Sequence, residues 1–312
     1  DKVAYGNFEP EFGIELWQTD GTEDGTVLLN DLNPAVNVFG FCFPEPLFGM
    51  GDKLFFCGND GQAVGLYVAD ANTGEMESIE PNGLTLSPNY FYEFGDQVVF
   101  AAYTAESGVE YWITDGSEDN TFMLADIAAG AASSAPSFFS YVDYHSFNDL
   151  LLFKADDGVH GREYWVTDGT VAGTQLLKDI NNGTSSTGFG EKVVSNGSFA
   201  FFNAQTSFDG YSLFVTDGST DGTQLLKDGA GLDALDDSFI IDEMDGFLYF
   251  VASDADGRFI WKSDGTAIGT GKVFDFEIVS DESIYEKSIG RTDSHFYFMQ
   301  YWNDACNVWA SD

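Results

Sequence analysis

Apolar residues fall in short runs of about four to six, often apolar at consecutive positions, separated by clusters of Gly, Asp, Asn, Ser and Thr. Runs of that length, rich in aromatic and β-branched residues and bounded by turn formers, predict strands. The runs return in a fixed order. One closes on an aromatic at Tyr5, Phe56, Phe100, Phe153, Phe202, Phe250 and Phe298. The next carries an aromatic at Trp17, Tyr67, Trp112, Trp165, Phe214, Trp261 and Trp309, and three residues later stands an aspartate: Asp20, Asp70, Asp115, Asp168, Asp217, Asp264 and Asp312. These anchor aspartates lie 45 to 53 residues apart, a period that belongs to propellers and solenoids. A second aspartate recurs eleven residues after the anchor, at Asp31, Asp126, Asp179, Asp228 and Asp275.

In Glu163-Tyr164-Trp165-Val166-Thr167 alternation sends Trp165 to one face and Tyr164 and Val166 to the other. A strand apolar on both faces needs a neighbour on each, as in a blade between two blades. The next seven residues, Asp168 to Thr174, predict a hairpin loop in which glycines supply positive φ and the carboxylate accepts backbone N–H bonds. The anchors therefore read as turn residues, and the aromatics three before them as side chains buried between blades.

The pattern predicts an all-β fold: a β-propeller of six or seven four-stranded blades, strands A to D, in one domain over residues 1–312. The ends are incomplete. The first unit has strands B (Lys2 to Asn7), C (Glu15 to Thr19) and D (Thr26 to Asp31) but no A; the last has A (Ile284 to Ile289), B (His295 to Tyr301) and C (Asn307 to Ser311) but no D. Seven blades are preferred, because Val3, Ala4, Tyr5 and Trp17 are core-type residues that a displaced hairpin would expose. An edge left unpaired at either end is a template for a strand from a neighbouring copy or another protein. The fourth unit is expected to have an enlarged A–B turn, Asp143 to Asn148, containing His145.

Glu15-Leu16-Trp17-Gln18-Thr19-Asp20-Gly21-Thr22, and with Tyr for Leu Glu163-Tyr164-Trp165-Val166-Thr167-Asp168-Gly169-Thr170, resemble the signature of the ELWxxDGT repeat family, and the resemblance runs through almost the whole chain. It implies a secreted or surface-displayed repeat protein, and it brings no catalytic residues.

Charge sharpens this picture. The 312 residues hold 52 acidic against 12 basic side chains, a net charge of −40, which argues against nucleic acid or an anionic membrane as partner. Such a charge either calls for screening by salt or divalent cations or keeps a secreted surface soluble. Acidic B–C turns offer calcium ligands at Asp156 and Asp157 and at Asp254 and Asp256, the last two opening like a calcium loop but lacking its downstream acid; a solvated acidic rim reads the same way. No apolar run approaches the ~20 residues of a membrane helix.

Catalytic patterns are sparse. His145, His160 and His295 sit in different units, and neither a Gly-x-Ser-x-Gly elbow nor a phosphate loop is written. The reading is non-enzymatic: an extracellular binding or structural module within a larger surface or filamentous assembly, associating with protein partners or itself. Two alternatives remain. A glycan-binding propeller would expose aromatics such as Tyr103, Phe208 and Trp302, and a secreted glycan-active hydrolase would need a carboxylate pair. Asn182 and Asn196 head glycosylation triplets. Three cysteines argue against a disulfide-built scaffold, and a Cys42–Cys57 bond would need a register shift; Cys306 has no evident partner.

Overall fold

The apolar runs become strands wherever a turn lets the chain fold back antiparallel on itself. The computed structural model describes residues 2–9, 13–33, 47–134, 144–207, 210–227, 240–254, 257–273, 289–291, 295–302 and 305–310. Within them the chain is an all-β protein of the propeller class. Five four-stranded and two three-stranded antiparallel sheets follow one another in sequence, each a simple meander.

The first blade contains Val3–Glu9, Gly13–Thr19 and Val27–Asn30, which are strands B, C and D. Blade 2 is complete, with Leu47–Met50, Lys53–Asn59, Val64–Asp70 and Met76–Ile79. Blade 3 follows as Ser87–Phe94, Gln97–Thr104, Gly108–Thr114 and Phe122–Met123. In blade 4 the strands are His145–Phe147, Leu150–Asp156, Arg162–Thr167 and Gln175–Leu176. Blade 5 runs through Gly188–Ser195, Ala200–Ser207, Gly210–Thr216 and Gln224–Lys227. Blade 6 runs through Ile240–Met244, Phe247–Asp254, Gly257–Ser263 and Gly271–Lys272. The seventh sheet has Ile289–Arg291, Phe296–Trp302 and Ala305–Ala310, strands A, B and C.

One expectation is corrected in blade 4. His145 lies in strand A, paired with Leu152, rather than in an enlarged turn. Asn148 and Asp149 both take left-handed φ, 47° and 57°, so two residues suffice to close the hairpin.

The chain divides into two compact units, the first of Asp1–Tyr144, Phe153–Gly158 and Thr167–Thr174, the second of the remainder. In the first unit, Leu16 of blade 1 packs with Phe56 and Tyr67 of blade 2, and Leu66 and Val68 of blade 2 pack with Phe100 and Trp112 of blade 3. In the second, Tyr164 and Val166 of blade 4 meet Phe202 and Phe214 of blade 5, and Leu213 and Val215 of blade 5 meet Phe250 and Trp261 of blade 6. One rule covers both units. Residues four and two before the anchor lie on the following blade, and the aromatic three before lies on the preceding one.

Burial along strand C differs from the sequence expectation. Tyr67, Trp112 and Phe214 are buried, whereas Trp17, Trp165 and Trp261 are half-buried; the Trp309 side chain lies outside the described residues. The position four before the anchor is enclosed in all six blades where it is described: Leu16, Leu66, Tyr111, Tyr164 and Leu213 are at most 1% exposed and Ile260 4%. An indole is too large to be enclosed completely at every repeat, while a Leu or Tyr fits.

Candidate functional site

The anchor loop is the most repeated chemistry in the chain, and its geometry shows what the aspartate does. In blade 4, Asp168 Oδ1 accepts the Thr170 N–H at 2.9 Å and the Thr170 hydroxyl at 2.7 Å. Gly173 N–H donates to Thr170 Oγ1 at 3.0 Å, and the Thr174 hydroxyl donates to the Thr170 carbonyl at 2.7 Å. Thr167 and Thr174 hydroxyls bond each other at 2.7 Å; since Thr174 gives its proton to the carbonyl, Thr167 is the donor. Gly169 N–H completes the loop by donating to Thr167 Oγ1 at 3.0 Å. The Asp20, Asp217 and Asp264 loops repeat the same bonds. Hydroxyl and backbone donors hold the Asp168 carboxyl below its ordinary pKa. It is a turn acceptor with its near oxygen filled.

The two glycines of the signature have separate reasons. Gly173 has no room for a side chain, because a Cβ there would stand 2.1 Å from Asp168 Oδ1. Gly169 has φ +87° and faces Phe94, Ile113 and Gln97 of blade 3. Its equivalents repeat that contact with the preceding blade: Gly116 faces Lys53 and Phe55, Gly218 faces Leu150, and Gly265 faces Phe199. The Asp115, Asp168, Asp217 and Asp264 loops are therefore pressed against the preceding blade, around its A–B turn and the start of its strand B, whereas Gly21 in blade 1 has nothing within 4 Å. Side-chain amides add a belt along the A–B turns. Asn148 Nδ2 donates to the Ser198 carbonyl at 2.8 Å, and Asn196 Nδ2 donates to the Gly246 carbonyl at 2.9 Å. The glycosylation candidate Asn196 thus uses its amide nitrogen to join blades, and its Oδ1 accepts the N–H groups of Ser198 and Phe199. Asn182 is exposed.

A set of residues that the sequence reading passed over lies behind this loop. Glu15, Glu110 and Glu163, five before their anchors, are 0% exposed. They reach the backbone where the chain leaves strand D. Leu32 N–H donates to Glu15 at 2.9 Å, Ala128 N–H to Glu110 at 3.1 Å and Asn181 N–H to Glu163 at 3.3 Å. Burial pushes Glu15 and Glu163 up to about 7, and the neighbouring Asp31 and Asp179 add to the rise. The signal was present as a glutamate at one fixed offset and an aspartate sixteen residues on.

The remaining candidates are dispersed. Asp156 Oδ1 accepts the Gly158 N–H at 2.8 Å, a turn bond, and Asp157 is half-buried beside it. The Asp254 side chain and all of Asp256 lie outside the described residues, as do Phe208 and the Trp302 side chain. Tyr103 is 47% exposed on strand B of blade 3. A cleft of about 630 Å³ in the first unit is bordered by Asp52, Lys53, Asp70, Glu75, Glu77 and Ser117; Lys53 already donates to the Asp115 carbonyl and Asp70 Oδ1 already accepts two backbone N–H groups. Among the described residues no three His, Cys, Asp or Glu side chains converge as a metal site. Cys57, for which the sequence favoured no partner, is disulfide-bonded; the other two cysteine side chains lie outside the described residues.

No family model and no curated protein matches the chain. Solved structures similar to it include TolB from Acinetobacter baumannii, at 14% identity over 86% of this chain and 62% of that one, with a TM-score of 0.35. A puromycin hydrolase is similar at 12% identity over 96% of this chain and 48% of that one, TM-score 0.40. The β-propeller domain of the Trilobed protease from Pyrococcus furiosus is similar at 14% identity over 100% and 92%, TM-score 0.37. The chain thus spans less than two thirds of TolB and about half of the hydrolase. Likenesses of this size carry no argument about activity.

Proposed function

We propose that the chain is a non-enzymatic, extracellular binding or structural propeller module that works within a larger surface or filamentous assembly. The observation that carries this reading is the use of the repeated polar signature. Aspartate, threonine and glycine of the anchor loops fill one another's hydrogen bonds and press blade against blade, so the residues written most often serve cohesion instead of facing a substrate. The disulfide at Cys57 supports an oxidising compartment, and the resemblance to ELWxxDGT repeat proteins supports secretion or surface display. A net charge of −40 supports an exposed, solvated face.

Protease shaving of intact source cells tests the location: fragments of this chain are expected in the released fraction, and their confinement to the lysate would overturn the extracellular reading. Light scattering across a concentration series tests assembly. Growth of the scattering mass is expected, and an invariant monomer across the series would count against it. Tyr103 favours a second reading, glycan binding, by its exposure; saturable capture on a glycan array that is lost in Tyr103→Ala would decide for it.

A further inference from the structure

Three Asn-Gly dipeptides occur in the chain: Asn82-Gly83, Asn182-Gly183 and Asn196-Gly197. A glycine after an asparagine leaves its own amide nitrogen open to the asparagine side chain, because no Cβ stands in the way. What that nitrogen meets differs at each place. The Gly83 N–H donates to the Glu80 carbonyl at 2.8 Å, and the Gly197 N–H donates to Ser195 Oγ at 3.0 Å; neither acceptor takes up a proton at neutral pH. Asn196 is also fixed at both ends of its amide, by the Gly246 carbonyl and by the N–H groups of Ser198 and Phe199. The Gly183 N–H instead donates to a carboxylate oxygen, Asp179 Oδ2, at 3.3 Å. Asn182 is exposed, and none of the described residues holds its side-chain amide. Blade 3 has the same bond without the asparagine: Asp126 accepts the Gly130 N–H at 3.2 Å, and Ala129 precedes the glycine. Blade 4 thus places an asparagine where the fold already holds a base against the next amide.

We propose that Asn182 is a site of self-modification, at which the chain deamidates this asparagine to an aspartyl or isoaspartyl residue with water as the only co-reactant. The Gly183 nitrogen bonds to Asn182 Cγ while Asp179 Oδ2 takes its proton as general base. The Cγ–Nδ2 bond then breaks, and Nδ2 leaves as ammonia with that proton, which restores the carboxylate. Water opens the resulting cyclic imide. Attack at Cγ returns the ordinary main chain with a carboxylate side chain, and attack at the main-chain carbonyl leaves an isoaspartyl link one carbon longer. Either product adds a negative charge beside Asn181, whose N–H reaches Glu163 and whose side-chain amide reaches the Ser186 carbonyl, both at 3.3 Å. A glycan on the Asn182-Gly183-Thr184 triplet would occupy the same Nδ2, so the two modifications exclude each other. The proposal does not depend on the function proposed above.

Peptide mass spectrometry of the full chain, made in a host that does not glycosylate it and aged at neutral pH, tests this. In the folded chain Asn182 is expected to convert at least about tenfold faster than Asn82 or Asn196, the lower end of what a positioned base supplies. In urea all three are expected to convert at similar rates, since each is followed by glycine. Asp179→Asn keeps an oxygen acceptor for the Gly183 N–H but no base, and is expected to slow Asn182 to the rate of Asn196. The ranking of the three sites in wild type stands as a test even if that variant fails to show the wild-type circular dichroism. Conversion of Asn82 or Asn196 as fast as Asn182 in the folded chain would overturn the proposal. So would an intact Asn182 in folded chain under conditions where the unfolded chain reacts, or an unchanged Asn182 rate in folded Asp179→Asn.

Discussion

Replacing Gly173 separates the loop chemistry described here from ordinary turn propensity. A Cβ at this position would lie 2.1 Å from Oδ1 and 2.3 Å from Cγ of Asp168, so in Gly173→Ala the carboxylate or the main chain must shift, which strains the bonds to the Thr170 N–H and hydroxyl. Two bonds to a charged acceptor are worth about 3 kcal/mol together when sheltered, and about half of that at an exposed loop where water substitutes. A main-chain shift adds about 1 kcal/mol, and the stiffer unfolded chain returns about 0.5 kcal/mol. The net loss is about 2 kcal/mol. Asparagine, though larger, is expected to cost less than half as much. Asn120 occupies this place in blade 3, where its amide donates to Asp115 Oδ2 at 2.7 Å while Oδ1 keeps the Ser117 N–H and hydroxyl. Urea unfolding followed by tryptophan fluorescence reads both variants as shifts in midpoint at constant slope. Equal losses for Ala and Asn, or a loss below about 0.5 kcal/mol for Ala, would refute the reasoning.

Three further outcomes follow from burial and charge. Burial holds Glu15 and Glu163 at about 7 in the folded state against 4.5 when unfolded; the folded chain therefore holds protons that the unfolded chain has released, and stability falls as pH rises from about 4.5 to 7. Thermal midpoints across that window should decline in wild type and flatten in Glu15→Gln/Glu163→Gln; a flat wild-type profile contradicts the burial of these acids. Trp112→Ala should cost about 3–5 kcal/mol by cavity formation, and Trp165→Ala clearly less, since Trp112 is buried and Trp165 half-buried; parallel urea titrations rank them. Tyr111→Phe removes the hydroxyl that donates to the Lys154 carbonyl of the next blade at 2.7 Å and should cost about 1–2 kcal/mol, a loss that would be absent if water replaced the bond.

The architecture was legible because the repeat repeats its reasons. The Asp20, Asp115, Asp168, Asp217 and Asp264 loops rest on an Asp–Gly–Thr or Asp–Gly–Ser turn and strand C carries apolar residues on both faces, so period and hairpin show in the residue order. Burial within strand C was less legible, since alternation places Trp165 and Tyr164 on opposite faces but does not say which face is the more enclosed. His145 was misplaced because Asn148 and Asp149 accept left-handed φ without a glycine to mark the turn. The glutamates behind the loop went unremarked, because a charged residue at the start of strand C looks like a solvated one until the D-strand exit is seen to fold over it. The fit of Gly116, Gly169, Gly218 and Gly265 to the preceding blade is a contact across roughly fifty to seventy residues, and no local pattern announces it.

The claim at the centre of this account is that the repeated signature is a closed internal lock. Hydrogen exchange of the amides of Gly169, Thr170 and Gly173 tests it most directly, because each donates to a side-chain oxygen of the loop at 2.9–3.0 Å while Asp168 and Thr170 themselves are exposed. The account predicts protection comparable to that of Tyr164 to Val166 in the adjoining strand. Exchange at the rate of an unstructured peptide, with the strand still protected, would contradict it.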